Sequence, residues 1–552
     1  MKKNRFRTAI CLILTAMVAI CAVPVAAAGA GTPIYINSDS NTVNGSLSSL
    51  YAVGGGGEVA ALPGNKVYAM TGTGIAEISS ASIPDRPVID DDGSAYTDDV
   101  IPYETMKIGL YSGSGALTEA RLENKVGSGY EFGYFDSSRN FHALGSTTVT
   151  QLTMIADVNT TVSSGKTIGC YHILLPGSYN SFAEAKSAAD AVGGFPAYYS
   201  GTYYALYGHY ASAADASGAM ASTGISGQVY SASSRCMVVT QTGTDRILFE
   251  FDGGSAMSLA IRPISPSGKA VTWFKGYQYY GSFQYARLTD DEKITVVNYV
   301  NIEDYVKGVL PYEMSASFPS EALKAQALCA RTYAASHFNS RRQYGFDLYG
   351  DDRDQVYQGL NSASASTNAA VDATAGQYIW YHGHLCETFF FSSDGGSTES
   401  SLNVWGTELP YLIGVVDPYE SEVDTGKNSW TYTLSPAQIQ AKINSKFSKC
   451  NLGPVVSVIP EYSEMGNVIK LTFGDASGNT YSVQRTSCYY ALDLPSLHFT
   501  ITQQPSGDYL IEGGGWGHNC GLSQWGAYAM AKNHGKTAAE IVKFYYTGVY
   551  VR

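Results

Sequence analysis

The chain has 552 residues, 45% hydrophobic and only 15% charged, a composition that excludes wholesale disorder and leaves room for several cores of native size. Its 35 Lys and Arg stand against 48 Asp and Glu, a formal net charge of −13, which argues against a nucleic-acid partner, since sequence-independent binding needs cationic surface opposite phosphate. Glycine is abundant at 58 and tyrosine at 42, and a tyrosine-rich, sparsely charged surface suits stacking on neutral, hydroxyl-rich ligands.

The first seven residues carry Lys2, Lys3, Arg5 and Arg7, an apolar run over residues 9–25 follows, and Ala26-Ala27-Ala28-Gly29-Ala30 closes the segment. This is the order of a secretory leader. As a helix the run reaches about 26 Å, short of the ~30 Å hydrocarbon core, and Pro24 interrupts it. Residues 1–28 are therefore expected to be a signal peptide, the location extracellular at the cell wall or the outer side of the membrane, and membrane contact to arise only if the leader stays uncleaved. Cys11 and Cys21 leave with the leader. Cys170, Cys236, Cys329, Cys386, Cys450, Cys488 and Cys520 remain, an odd set without a CxxC pair that supports neither a disulfide scaffold nor a zinc ribbon. Cys170 with Cys236 and Cys450 with Cys488 are the pairings to consider.

Residues 29–105 read as a Gly/Ser-rich N-terminal region of weak strands or spacer, ending in an acidic linker. Asp90-Asp91-Asp92 there lacks the full ligand pattern of a calcium loop. From Met106 the pattern becomes β-like, with Met106-Lys107-Ile108-Gly109-Leu110-Tyr111, and it resumes near Leu259-Ala260-Ile261, Val271-Thr272-Trp273-Phe274 and over residues 293–300. Between lies an internal repeat at an offset of 31: Gly177, Tyr179, Ser181, Ala183 and Ala185 recur as Gly208, Tyr210, Ser212, Ala214 and Ala216, with Gly193 and Gly224 following. Each copy reads as a short strand, a glycine turn and an Ala-rich helix, so the pair predicts two β-α-β units in a small α+β sandwich. Residues 166–240 thereby resemble the SPOR domain, a family that binds peptidoglycan glycan strands stripped of their peptide stems.

In residues 302–310, Ile302, Val306, Val309 and Leu310 share one helical face, and Pro311 is expected to end or kink that helix. A second helix is expected after Phe318-Pro319, with Ser320 as N-cap, Glu321 in the first turn, and Leu323, Ala327, Ala330 and Ala334 along an apolar stripe. Between them sits Glu313, flanked by Tyr312, Met314 and Phe318. Apolar surroundings raise a carboxyl's pKa, as a general acid near neutral pH requires, although a solvated loop glutamate is the plainer reading of these residues alone.

The run Asn301-Ile302-Glu303-Asp304-Tyr305-Val306-Lys307-Gly308-Val309-Leu310-Pro311-Tyr312-Glu313-Met314 resembles the stage II sporulation protein D (SpoIID/LytB) family. So do the run from Glu321 through Gln326 and Arg331 to Tyr333, the block Ser392-Ser393-Asp394-Gly395-Gly396-Ser397-Thr398-Glu399 with Pro410-Tyr411-Leu412, and the block from Gly515 to Ala527. The resemblance covers residues 106–165 and 241–552, making the SPOR-like segment an insertion. The implied fold is α+β and multi-domain: a β-rich catalytic domain with a helical segment and an inserted small α+β sandwich. The implied activity is a lytic transglycosylase on peptide-stripped glycan, with Glu313 as the catalytic acid and no cofactor. One carboxyl suffices, because a 6-hydroxyl of the substrate can close an anhydro ring, whereas a hydrolase normally needs a second carboxylate. The resemblance further implies a groove lined by Gln326, Ser393, Gly395, Gly396, Thr398, Trp516, His518, Ser523 and Gln524, with Gly395-Gly396 admitting close backbone approach and Trp516 stacking on a sugar face. Arg331 is either an orienting or substrate-binding group or one half of a structural ion pair.

Some members carry a Cys and a His as zinc ligands before the Gln355-Val356-Tyr357 match. Here that stretch reads Leu348-Tyr349-Gly350-Asp351-Asp352-Arg353-Asp354, so no metal is carried over, and the acidic cluster reads as solvated rather than as a cation site. His382-Gly383-His384-Leu385-Cys386-Glu387 reads as a hairpin, its central glycine between two apolar runs. Thr537 with Glu540 makes a capping box for a closing helix. Two other functions stay open: a non-catalytic, glycan-binding enhancer of a cell-wall amidase, which the LytB name implies, and a thiol hydrolase using Cys520 with His518.

Overall fold

The structure, a computed structural model, describes residues 99–552 apart from Asp290, together with the backbone of six short strands between Tyr35 and Ile78. The leader and the Asp90-Asp91-Asp92 run lie outside the described residues. Among the described residues no helix is long and apolar enough to cross a membrane.

The architecture is α+β, with many strands and several helices. A seven-stranded sheet runs in the order Phe141–Thr147, Gly129–Phe135, Leu259–Ile264, Ser282–Ala286, Thr295–Asn301, Thr105–Tyr111 and Leu348–Tyr349. A ten-stranded sheet includes Glu119–Asn124, Gln151–Ala156, Met237–Gln241 and Ile247–Asp252. One shared apolar core lies between the sheets, where Phe132 of the first stacks on Phe249 of the second, centroids 5.0 Å apart and planes at 6°. The alternation along Gln151–Ala156 explains how its sheet is covered on both sides: Leu152, Met154 and Ala156 enter this core while Ile155 enters another on the opposite face.

The repeat forms strand, helix and strand twice over: Tyr171–Leu174, α1 (Phe182–Asp190) and Phe195–Tyr199, then Thr202–Tyr210, α2 (Ala213–Thr223) and Gln228–Tyr230. Its recurring residues have identifiable duties. Ser181 and Ser212 are the N-caps, accepting from the Glu184 and Asp215 amides. Ala185 and Ala216 are wholly buried; Gly224 closes the second helix at φ +72°, and Gly193, at φ +77°, lies in the turn that follows the Ala191 cap of the first. The unit does not own its sheet. Phe195–Tyr199 pairs in parallel with Ile247–Asp252, so the repeat and the flanking chain share the ten strands.

A helical layer follows: α3 (Ile302–Glu313), α4 (Ser320–Ser336) and α5 (Ala365–Ala373). Asn301 caps α3 by accepting the Glu303 amide at 2.9 Å. Contrary to expectation, Pro311 does not end α3; it lies in the last turn, where its missing N–H forfeits one bond, and the helix runs on to Glu313 before Met314 turns extended. Ser320 is the first residue of α4 rather than its cap, a place taken by Pro319. Alanines along α4 are buried, which lets the helices approach closely around a single buried guanidinium. Arg331 donates from Nε and Nη2 to the Glu303 carboxylate at 2.7–3.0 Å, from Nη2 to the Val371 carbonyl at 3.1 Å, and from Nη1 to Thr374 Oγ1 at 3.2 Å and the Gln377 carbonyl at 3.4 Å.

The chain closes with α6 (Gln524–His534) and α7 (Ala538–Tyr545), the latter opened by the Thr537–Glu540 capping box. Ile379–Tyr381 and His384–Leu385 form the hairpin, with His382 and Gly383 at φ +50° and +83° in its turn. All seven described cysteines are free thiols, so neither considered pairing forms. Cys236 Sγ faces Glu250 Oε1 at 3.4 Å, Cys170 Sγ lies by Asn159, and Cys488 Sγ faces the Val483 carbonyl.

Removing one partner of a buried ion pair strands the other. Arg331→Met should lower unfolding free energy by about 3 kcal/mol, the low end of the usual range because Glu303 keeps 21% exposure and can rehydrate. Urea denaturation at neutral pH reads the loss.

Candidate active site

Glu313 occupies the last turn of α3, half-buried, with Met314 beside it wholly inside the core. Burial is the largest influence on its carboxyl and pushes the pKa up to about 7, opposed by two donors, the Gln524 side chain and the Val356 amide. Gln524 is the first residue of α6, and its neighbour Ser523 caps that helix by accepting the Gly526 amide at 3.2 Å. Capping therefore fixes where Gln524 starts, and Gln524 meets the acid. Trp525 and Tyr528 of the same helix pack on Phe318, with centroids 4.9 and 5.0 Å away.

From Gln524 a continuous network leads outward. Ser523 Oγ donates to Glu420 Oε2 at 2.5 Å, and Ser393 Oγ donates to the other oxygen of the same carboxylate. The Asp394 and Gly395 amides reach Glu420 as well. Ser393 exchanges backbone bonds with Trp516 at 2.7 and 3.1 Å. Trp516 is 53% exposed, and the Lys427 ammonium lies 5.4 Å from its ring centroid while bonding Ser392 Oγ at 2.6 Å. An apolar face and a cation thus stand together at the surface, connected through Ser393, Glu420 and Ser523 to the start of the helix that carries Gln524.

Several expected contact residues do other work. Arg331 is wholly buried and every donor is taken by Glu303 and the α5 end, so it is the structural ion pair and touches no groove. Ser393, Ser523 and Thr398 are buried, Thr398 Oγ1 accepting the Val415 amide at 2.8 Å. Gln326 is buried on α4 with neither amide atom bonded. Gly395, at φ +72°, approaches the backbone of Gly514 and Gly515 rather than open space: a Cβ there would sit 2.6 Å from Gly514. Gly396, at φ +126°, donates its amide to Asp394 Oδ1 at 2.7 Å.

His518 has both ring nitrogens engaged, Nε2 on the Phe390 carbonyl at 3.0 Å and Nδ1 on the Cys520 amide at 3.2 Å, and burial lowers its pKa to about 4. The Cys520 thiol is wholly buried and pushed far above its ordinary pKa, by burial first and then by the Glu399 charge. His518 meets its amide, not its sulfur. A thiol nucleophile on this pair is therefore ruled out by geometry. Within the acidic cluster Asp351 binds Arg353 at 2.6 Å and Asp354 binds Arg341 at 3.0 Å, while Asp352 is exposed.

Sequence reasoning missed Lys427, Asp417 and Glu420, which lie outside the quoted blocks, and passed over Asp394 inside one. Asp394, Asp417 and Glu420 converge in the core. Burial and the neighbouring carboxylates push the Asp394 pKa well up, while the oxygens of Asp417 take the Tyr545 hydroxyl at 2.5 Å and the Tyr419 and Glu420 amides. A general rule could have flagged them: buried serines in a glycine-rich block need a partner.

Because native Glu313 binds its proton more tightly than the unfolded chain does, stability is present at low pH and is lost as pH rises from about 4.5 through about 7. Glu313→Gln lacks that loss. Its unfolding free energy should gain on wild type between pH 5 and pH 8 by an amount on the order of 1 kcal/mol given partial exposure, read in thermal melts across that range as a melting temperature that rises relative to wild type.

The stage II sporulation protein family model matches residues 290–381, a window containing Glu313, Gln326 and Arg331. An uncharacterized protein of Brachyspira hyodysenteriae is 39% identical over 279 residues, 50% of this chain and 72% of that protein. The amidase enhancer of Bacillus subtilis is 30% identical over 340 residues, 53% of this chain but only 46% of that protein's length. Stage II sporulation protein D of Bacillus subtilis is 31% identical over 272 residues, 46% of this chain and 75% of that protein. At that identity, over three quarters of the relative's length, the chain belongs to the stage II sporulation protein D family.

Proposed function

We propose that the protein is a secreted lytic transglycosylase that cleaves between N-acetylmuramic acid and N-acetylglucosamine in peptide-stripped glycan strands of the cell wall, during wall remodelling or sporulation. The observation that carries this reading is Glu313 itself: a half-buried carboxyl near pKa 7, held by only two donors at the end of a rigid helix. Protonated, it gives its proton to the glycosidic oxygen as that bond breaks. The carboxylate left behind, steadied by Gln524 and the Val356 amide, takes a proton from the muramic acid 6-hydroxyl as its oxygen closes on C1. Acid and base are then the same group, and no water is consumed. Exposed Trp516 with Lys427 supplies a stacking face and a cation. Residues 166–240 would hold the strand as a SPOR-like glycan-binding unit.

A second reading, a non-catalytic enhancer of a cell-wall amidase, is favoured by the likeness to the amidase enhancer. Mass spectrometry of stripped and unstripped strands separates the two. The enzyme gives 1,6-anhydro products from stripped strands, and Glu313→Gln reduces them at least about 100-fold. Binding without any such product from wild type, across pH, selects the enhancer. The rate should also fall as pH rises through about 7, and Gln524→Met, by removing a donor to the carboxylate, should move that limb to higher pH.

A further inference from the structure

A second cluster of ionisable groups lies far from Glu313 in sequence, where the repeat joins the flanking sheet. Asp157 follows the strand Gln151–Ala156, His172 lies in Tyr171–Leu174, and Glu250 lies in Ile247–Asp252. All three are buried, and their ligand atoms lie within 4.8 Å of one another. His172 Nδ1 sits 2.7 Å from the Gly208 carbonyl and must donate to it, so in the neutral ring Nε2 carries a lone pair. That lone pair faces Glu250 Oε2 at 3.2 Å and Asp157 Oδ1 at 3.6 Å. Three groups of acceptor character thus point at each other inside the protein. His172 Nε2, Glu250 Oε2 and both oxygens of Asp157 have no hydrogen-bond partner.

The contrast with Asp394, Asp417 and Glu420 is instructive, since serines, a tyrosine and backbone amides satisfy nearly all of that cluster. Here the other Glu250 oxygen is bonded, by the Tyr199 hydroxyl at 2.8 Å and the Cys236 thiol, while the inward-facing atoms are left bare. A proton on Nε2 closes the contact to Glu250 at 3.2 Å and offers Asp157 Oδ1 only a longer, shared contact at 3.6 Å. Two carboxylates and a neutral imidazole balance the charge of one dication, and burying uncompensated charge is costly. The spacing agrees: ligands at about 2.1 Å from a tetrahedral ion are roughly 3.4 Å apart, between the two observed separations, and longer than a charge-assisted hydrogen bond. A backbone carbonyl on the far ring nitrogen is the usual way of fixing a metal-binding histidine.

We propose that Asp157, His172 and Glu250 form a structural site for one divalent transition-metal ion, of zinc type, that pins the repeat unit to the flanking sheet. His172 comes from the repeat and both carboxylates from the chain around it, so occupancy couples their folding.

The full chain, purified without immobilised-metal chromatography, stripped with chelator and dialysed against zinc, is assayed for metal content and melting temperature. About one zinc per chain is expected in wild type and in Glu313→Gln, with a higher melting temperature than the stripped form. Asp157→Asn and Glu250→Gln, which keep side-chain shape, should lose the ion and the shift together. Retention of another divalent transition metal at the same stoichiometry, lost in the same variants, supports the site equally. No retained ion in wild type, or equal retention in both variants, overturns it and leaves a proton-linked His–carboxylate cluster. Should either variant fail to fold, the other variant and the wild-type stoichiometry still decide.

Discussion

The position of Glu313 depends on a guanidinium that never meets solvent. Arg331 fixes the first turn of α3 through Glu303, and Glu313 lies ten residues further along the same rigid rod, about 15 Å away. The fork also takes the Val371 and Gln377 carbonyls, so α3, α4 and the end of α5 are held in one arrangement. Alanines bring those helices close but do not select a roll angle; a planar donor set with five directional bonds does. A buried ion pair is often no more stabilising than an apolar replacement. Its value here is specificity: if α3 rolled by one residue, about 100°, the carboxyl would leave Gln524 and the Val356 amide.

The other end of the rod is held by different means. Ser523 caps α6 and donates to Glu420 with the same hydroxyl, so the start of α6 is tied both to its own helix and to the buried acid cluster. Gln524 inherits that placement. Glu313 is thereby aligned from two sides, by an ion pair at the start of its helix and by a capped helix facing its end. Ser393 and Ser523 of the glycine-rich blocks serve the second tie through Glu420, which explains why these buried serines stand among motifs that read as a groove.

Legibility followed the range of the interactions. The strand, turn and helix of each repeat copy, the His382-Gly383 turn and the Thr537–Glu540 box are local, and each was readable from spacing alone. The parallel pairing of Phe195–Tyr199 with Ile247–Asp252 joins distant segments, and nothing in either strand names its partner, so the repeat read as a unit with its own sheet. Glu313 and Gln524 were both singled out, but from motifs some 200 residues apart, and only folding shows that they touch. Glu420, which organises two motif serines, stands in no motif, and only the need of those serines for a partner could have pointed to it.

What distinguishes the buried carboxylates is the supply of donors rather than burial itself. Glu420 receives two hydroxyls and two amides, and Asp417 a hydroxyl and two amides, so both are locked into structure. Glu303 is matched by a full guanidinium. Glu313 has two donors and partial exposure, enough to make its ionised form accessible and too few to make it dominant, which leaves the proton free to be given and taken near neutral pH. Asp157 has no donor on either oxygen. A carboxylate saturated with donors is scaffold, one with a few is a proton carrier, and one with none calls for a positive charge.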